Sequence, residues 1–170
     1  MTGRVAQIWR HPIKAHGREQ LDSVALTEGQ TMPWDRTWAV AHEMAKTDGR
    51  NWVRCINFSR AAKAPSLQAI SARLDEDRSM VTLNHPDLPE LRFNPDTDAS
   101  EFLKWVAPIM PADRAASAEI IRVKDQGMTD SALPSVSLHN LASNAEVGKT
   151  VGKELSPVRW RGNIWFDGLP

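Results

Sequence analysis

Tyrosine is missing from the 170 residues, and cysteine occurs once. A lone Cys55 closes no internal disulfide, which excludes the stapled scaffolds of small secreted proteins. The N-terminus carries no apolar core of a secretory signal, so a reducing cytoplasm is the expected compartment. Neither sign of charge is in excess, since 21 Lys and Arg stand against 21 Asp and Glu. General nucleic-acid binders need a basic surplus to displace counterions from phosphates, so that class is excluded and only local basic patches remain. No apolar run approaches the roughly 20 residues of a membrane helix, so no membrane partner is expected. G-x-G-x-x-G, P-loop and G-x-S-x-G motifs are all missing, which removes the usual dinucleotide, nucleotide and α/β-hydrolase readings. At roughly 100 to 150 residues per domain, the length suits one domain, or one and part of another. What the chain does have is tryptophan, seven residues against four phenylalanines.

Short β-type runs separated by Gly, Pro, Asn and Asp fill the first three quarters. They predict strands at Val5 to Arg10, Leu21 to Leu26, Thr37 to His42, Leu67 to Leu74, Ser79 to Leu83, Glu90 to Phe93 and Ala118 to Val123. Asp75-Glu76-Asp77-Arg78 reads as the turn of a hairpin. Helical spacing appears twice. Phe102, Trp105, Val106 and Ile109 follow a possible Asp98 cap, and Leu138, Leu141, Ala142 and Ala145 follow Ser137, with Gly148 and Gly152 weakening the end. The fold class expected is therefore mainly β, a β-barrel with one or two peripheral helices, α+β overall. A polar seam at Lys124-Asp125-Gln126-Gly127 divides the chain into units 1–124 and 125–170. The second unit, about 45 residues, is barely above the size that buries enough surface to stand alone, so it is expected to pack on the first or to be half of something larger.

Three segments concentrate side chains suited to an anion. In Trp9-Arg10-His11-Pro12-Ile13-Lys14-Ala15-His16-Gly17 a strand ends at proline, placing the Lys14 ammonium at a loop mouth. His11 and His16 are five apart, which fits no zinc spacing, and read as surface residues; no metal site is assigned. In Met32-Pro33-Trp34-Asp35-Arg36-Thr37-Trp38, Asp35 and Arg36 either orient a guanidinium fork toward a phosphate or carboxylate, or form a surface ion pair in a structural turn between core tryptophans. In Arg159-Trp160-Arg161-Gly162-Asn163-Ile164-Trp165-Phe166-Asp167-Gly168, arginines at alternate positions share one side of an extended chain, and Asn163 offers donors and an acceptor. Solvation of an edge strand is the plain alternative. Cys55 has no local histidine partner and reads as buried or inert.

In order and spacing, these segments resemble the MOSC proteins, a superfamily related to the C-terminal domain of molybdenum cofactor sulfurase. Its two-part members include YcbX-like proteins and the mitochondrial amidoxime-reducing component. Trp9-Arg10-His11-Pro12-Ile13-Lys14-Ala15 is similar to the family's Tyr-Pro-Val-Lys-Ser motif. Leu21-Asp22-Ser23-Val24-Ala25-Leu26-Thr27-Glu28-Gly29 and Trp34-Asp35-Arg36-Thr37-Trp38 resemble its L-x-x-V-x-L-T-x-x-G and G-D-R-x-W segments. The stretch from Thr129 to Ser143 is similar to the opening of the MOSC domain proper, and Arg159 to Gly168 to its R-x-R-x-N-[IV]-x-x-[DS]-G strand.

The resemblance implies an N-terminal MOSC β-barrel over 1–124, then the first half of a MOSC barrel over 125–170. It implies a molybdenum cofactor (molybdopterin), with Lys14 and Arg36 facing its anionic part, Arg161 and Asn163 holding pterin and phosphate, and Asn140 or Ser137 adding a polar contact. Pyridoxal phosphate is the second cofactor class it carries. The implied activity is two-electron reduction of N-hydroxylated or similar substrates, or sulfur transfer, with a small-molecule substrate and a redox partner protein. Three departures stand out. Ala15 replaces a serine, Trp34 replaces a glycine, and the sequence stops before the family's molybdenum-ligating cysteine, a soft ligand whose role does not pass to Cys55. A competing expectation is therefore a non-catalytic β-barrel recognition module or truncated subunit, self-associating through an open MOSC edge.

Overall fold

The computed structural model describes residues 2–169. Its strands are β1 (Arg4–Arg10), β2 (Ile13–Lys14), β3 (Glu19–Leu21), β4 (Trp38–His42), β5 (Ser71–Asp75), β6 (Met80–His85), β7 (Leu88–Phe93), β8 (Ser117–Arg122), β9 (Leu138–Asn140) and β10 (Ile164–Asp167). Two α-helices accompany them, α1 (Ala99–Val106) and α2 (Leu141–Val151). The fold is mainly β, as expected. Its strands form three sheets, ordered β3-β1-β10-β9, β2-β4-β8 and β5-β6-β7, and none closes on itself.

β4 is the strand around which the interior is organised. It lies between β2, parallel, and β8, antiparallel. Alternation sends Trp38 and Val40 into one core with Ile13, Leu67, Leu83, Phe93, Phe102 and Val106. Ala39 and Ala41 enter a second core with Phe58, Ile121, Val123 and Met128. Burial on both faces explains why this run is continuously apolar. Helix α1 closes the first core with Phe102, Trp105 and Val106.

Several local expectations are corrected. Of the run Leu21 to Leu26 only Leu21 lies in a strand; Asp22 and Ser23 are poor strand formers, and Leu26 stays half exposed. The run Leu67 to Leu74 opens with a 3₁₀ turn, Pro65–Ala69, because Pro65 at its start donates no N–H. That turn drops Leu67 and Ile70, three residues apart, into the core together. Asp98 does not cap α1 with its side chain; its carboxylate accepts instead from the Asn94 N–H. The second helix starts at Leu141 rather than Ser137, because residues 138–140 pair with β10. It runs through Gly148 and ends at Gly152, whose left-handed φ of 70° suits a residue without a side chain.

β10 pairs antiparallel with β1 and parallel with β9, so it sits inside the four-stranded sheet rather than at its edge. Ile164 and Trp165 are buried there.

Candidate functional site

The three anion-suited segments meet in space. β1 and β2 are joined through His11 and Pro12, and the whole stretch from His11 to Gly17 is buried. The turn before β4 is tied to it by the Arg36 N–H, which donates to the His11 carbonyl at 2.7 Å. The loop after β8 is tied in turn by the Met128 N–H, which donates to the Arg36 carbonyl at 2.7 Å. The entry to β10 is held by Arg36 Nη2, donating to the Arg161 carbonyl at 2.8 Å.

Asp35 is the anchor. Its carboxylate is 1% exposed and accepts from the His11 backbone N–H at 2.8 Å, from His11 Nδ1 at 3.3 Å and from Arg36 Nη1. Burial alone would raise its pKa, but the Arg36 charge and the His11 hydrogen bonds outweigh it and hold the carboxyl well below its usual range. The Asp35–Arg36 pair is thus an interior pair, not the surface ion pair that the turn suggested. The two histidines are interior as well. His11 is pushed down to about 3 by burial and by the Arg161 charge, and His16 to about 4 by burial, so both rings are neutral at pH 7. His16 Nδ1 donates to the Lys14 carbonyl at 2.8 Å, leaving Nε2 buried without a partner.

Lys14 does not stand at an open mouth. Its amine is inside, donating to the Met128 carbonyl at 2.7 Å and to Asp130 Oδ1 at 2.6 Å. Burial lowers its pKa, with Asp130 opposing. Asp130 itself is exposed, its side chain 86% accessible. Arg159 and Arg161 do not share one side of a strand, because residues 157–160 form a 3₁₀ turn. Arg159 stacks over the Trp160 ring, whereas Arg161, at φ 55°, turns inward. Arg161 Nη2 donates to the Gly17 carbonyl at 3.0 Å, and Nη1 is buried with no hydrogen-bond partner. Burial and the Arg36 charge push this guanidinium down to about 9, so it keeps its charge at pH 7. The next residue must be small: a Cβ on Gly162 would come within 2.2 Å of the His139 ring.

Asn163 and Ser137 lock each other. Asn163 Oδ1 accepts from the Ser137 N–H at 3.2 Å and from Ser137 Oγ at 3.0 Å, while Asn163 Nδ2 donates to the Trp9 carbonyl at 3.2 Å. Arg36, Ser137 and Asn163 line one cleft of about 290 Å³ with Thr129, Asp130, Ser131 and Ser135. Lys14 reaches this cleft through Asp130, whereas Arg161 meets it only through its backbone carbonyl, which accepts from Arg36. Asn140 lies apart from it, capping α2 by accepting from the Ala142 N–H at 2.8 Å.

With the histidines neutral, Lys14, Arg36 and Arg161 outnumber Asp35 and Asp130 by one charge. Strain gathers at the same place. Among the described residues, four of the six non-glycine residues with positive φ are Ala15, Trp34, Arg36 and Arg161. Such conformations persist only where surrounding contacts over-determine them, and they cluster at ligand clamps. Trp34 adopts φ 62°, which is the physical reason a glycine suits that position. Among the described residues no three His, Cys, Asp or Glu side chains gather as metal ligands. Cys55 is partly buried rather than sealed, and Arg60 Nη1 lies 3.9 Å from its Sγ. No helix among the described residues is long and apolar enough to cross a membrane.

Sequence reasoning missed Asp130 and the burial of His11 and His16. Thr129-Asp130-Ser131 sat in plain view as a polar segment, but its partner Lys14 lies 116 residues away. Comparison with known proteins gives one match: the family model described as MOSC N-terminal beta barrel domain covers residues 2–119. No curated protein and no solved structure matches.

Proposed function

Because the chain belongs to the MOSC N-terminal β-barrel domain family, we propose that its cationic cleft holds the phosphate-bearing pterin of a molybdenum cofactor. The observation that carries this reading is Arg161 Nη1, a charged donor buried without a partner behind the cleft wall, its guanidinium close enough to feel the Arg36 charge. A buried donor left unpaired is costly, and an anionic oxygen is the group that satisfies it. Arg36, fixed by Asp35, would present its fork toward the cleft. Asn163 and Ser137 shape the wall, and Lys14, buried behind it, neutralises the Asp130 carboxylate that lines the cleft. When bound, the cofactor supplies two-electron redox chemistry toward N-hydroxylated or similar compounds, or the handling of activated sulfur. The protein's residues bind, orient and balance charge. Cys55 is not offered as the metal's thiolate.

The test is cofactor retention. Chain purified from cofactor-producing cells should carry a pterin that becomes fluorescent on oxidation, and Arg161→Ala should weaken its retention by roughly 10- to 100-fold, the worth of one charge-assisted hydrogen bond of about 1.5–3 kcal/mol. Molybdenum content measured on the same sample reports the metal separately, and added pyridoxal phosphate serves as the competing phosphate-bearing ligand. Retention of pyridoxal phosphate alone would replace the pterin by that cofactor. Absence of both ligands would leave the recognition-module reading.

A further inference from the structure

A second basin of cations lies at the other end of β4, where His42 closes the strand. It is a half-enclosed cavity of about 250 Å³ lined by His42, Phe58, Arg60, Lys63, Met110 and Arg114, with Ile56, Ser59, Ala64 and Ala115 completing the wall. None of these residues lines the cleft at Arg36. The turn from Arg60 builds one side of the cavity: the Lys63 and Ala64 N–H groups both donate to the Arg60 carbonyl at 2.9 Å. One helical turn of spacing brings Arg60, Lys63 and Ala64 to the same side. The base is apolar, since Phe58 and Ala64 are fully buried, whereas Ile56 stands 66% exposed at the rim.

Charge here is one-sided. No carboxylate belongs to the lining, in a chain whose overall charge is zero. Arg60 and Lys63 have no acidic partner among the described residues, and Arg114 meets only the exposed Asp113 at 3.7 Å. Glu43, next to His42, turns its carboxylate to the Ala116 N–H. His42 Nε2 donates to the Ile56 carbonyl at 2.8 Å, which leaves Nδ1 as a buried acceptor without a partner. Cations with no carboxylate in the lining, over an apolar base, suit a ligand with an anionic head and an apolar body; a small hydrated inorganic anion would leave the base unfilled. At about 30 Å³ per water, the volume corresponds to roughly eight waters, a body the size of a benzene ring with one carboxylate.

We propose that this cavity is a binding site for small organic monoanions of that shape, an aromatic or short aliphatic carboxylate. The assignment stands independently of any cofactor at the Arg36 cleft. Titration of the full chain with benzoate, followed by methyl and aromatic NMR signals, should give saturable shifts at Ile56, Met110, Phe58 and His42. Benzyl alcohol, equal in shape but neutral, should bind at least tenfold more weakly. The exposed double substitution Lys63→Glu with Arg114→Glu should cost a similar factor while the spectrum stays that of the folded chain. Shifts confined to the Arg36 cleft, absence of saturation, equal binding of benzyl alcohol, or an indifferent double variant would each overturn the assignment.

Discussion

His11 and His16 are folded as neutral rings, and that fixes how the protein answers acid. In an unfolded chain both would titrate near 6.5, whereas in the fold they do so at about 3 and about 4. Between pH 6.5 and about 4 the unfolded state therefore binds more protons than the native state, and stability falls as pH falls, by up to about 1.4 kcal/mol per pH unit for each histidine. Asp35 adds to the loss at lower pH, because its carboxyl is held below the usual range and its contribution disappears as pH drops through the folded value. Thermal melts from pH 7 to 4.5 should show a steep decline, and His16→Gln, which cannot titrate, should flatten it by about half. A slope unchanged by the substitution would mean that His16 is not a source of the acid response. The same two residues mark the limit of legibility at this scale. Arg36, Ser137 and Asn163 were readable as cleft residues from side-chain type and motif resemblance. That His11 is dry, or that Lys14 meets Asp130, depends on segments that touch only after folding.

Among the elements, those with strong periodicity or a turn signature emerged from the sequence close to their observed positions. β4 and α1 are examples, because burial of a whole face writes itself into spacing. The misread elements were decided by a neighbour. Leu138 has helical spacing with Leu141 and Ala142, yet residues 138–140 are drawn into a strand by β10, and the helix begins where the Asn140 side chain can cap it. This makes Asn140 a capping residue first. Asn140→Ala should cost about 1 kcal/mol, lowering Tm by roughly 2–4 °C, while Asn140→Ser keeps a neutral capping oxygen and should stay near the original Tm. If pterin retention followed the same pattern as Tm, the residue would act through the helix; a loss of retention in Asn140→Ser without a Tm change would make it a direct contact.

For the whole molecule, the decisive feature is the position of β10, residues 164–167, between β1, residues 4–10, and β9. No local pattern announces the pairing with β1, since the two strands are separated by almost the entire chain. A strand inside a sheet is bonded on both edges, and here its Trp165 is 1% exposed and stacks on His139 with ring centroids 4.6 Å apart. Removing such a side chain costs about 3–5 kcal/mol, a large share of the roughly 5–15 kcal/mol that holds a domain together. Because β1 runs directly into His11 and Lys14, a failing β10 would release the anion cleft together with the sheet. Trp165→Ala should therefore lower the denaturant midpoint in one cooperative transition, with circular dichroism and the fluorescence of the six remaining tryptophans, Trp38 and Trp105 among them, changing together. Two separated transitions, with Trp38 and Trp105 surviving the loss of the four-stranded sheet, would instead show that the cores around β4 fold without the C-terminal segment and that the cleft is assembled on a preformed scaffold.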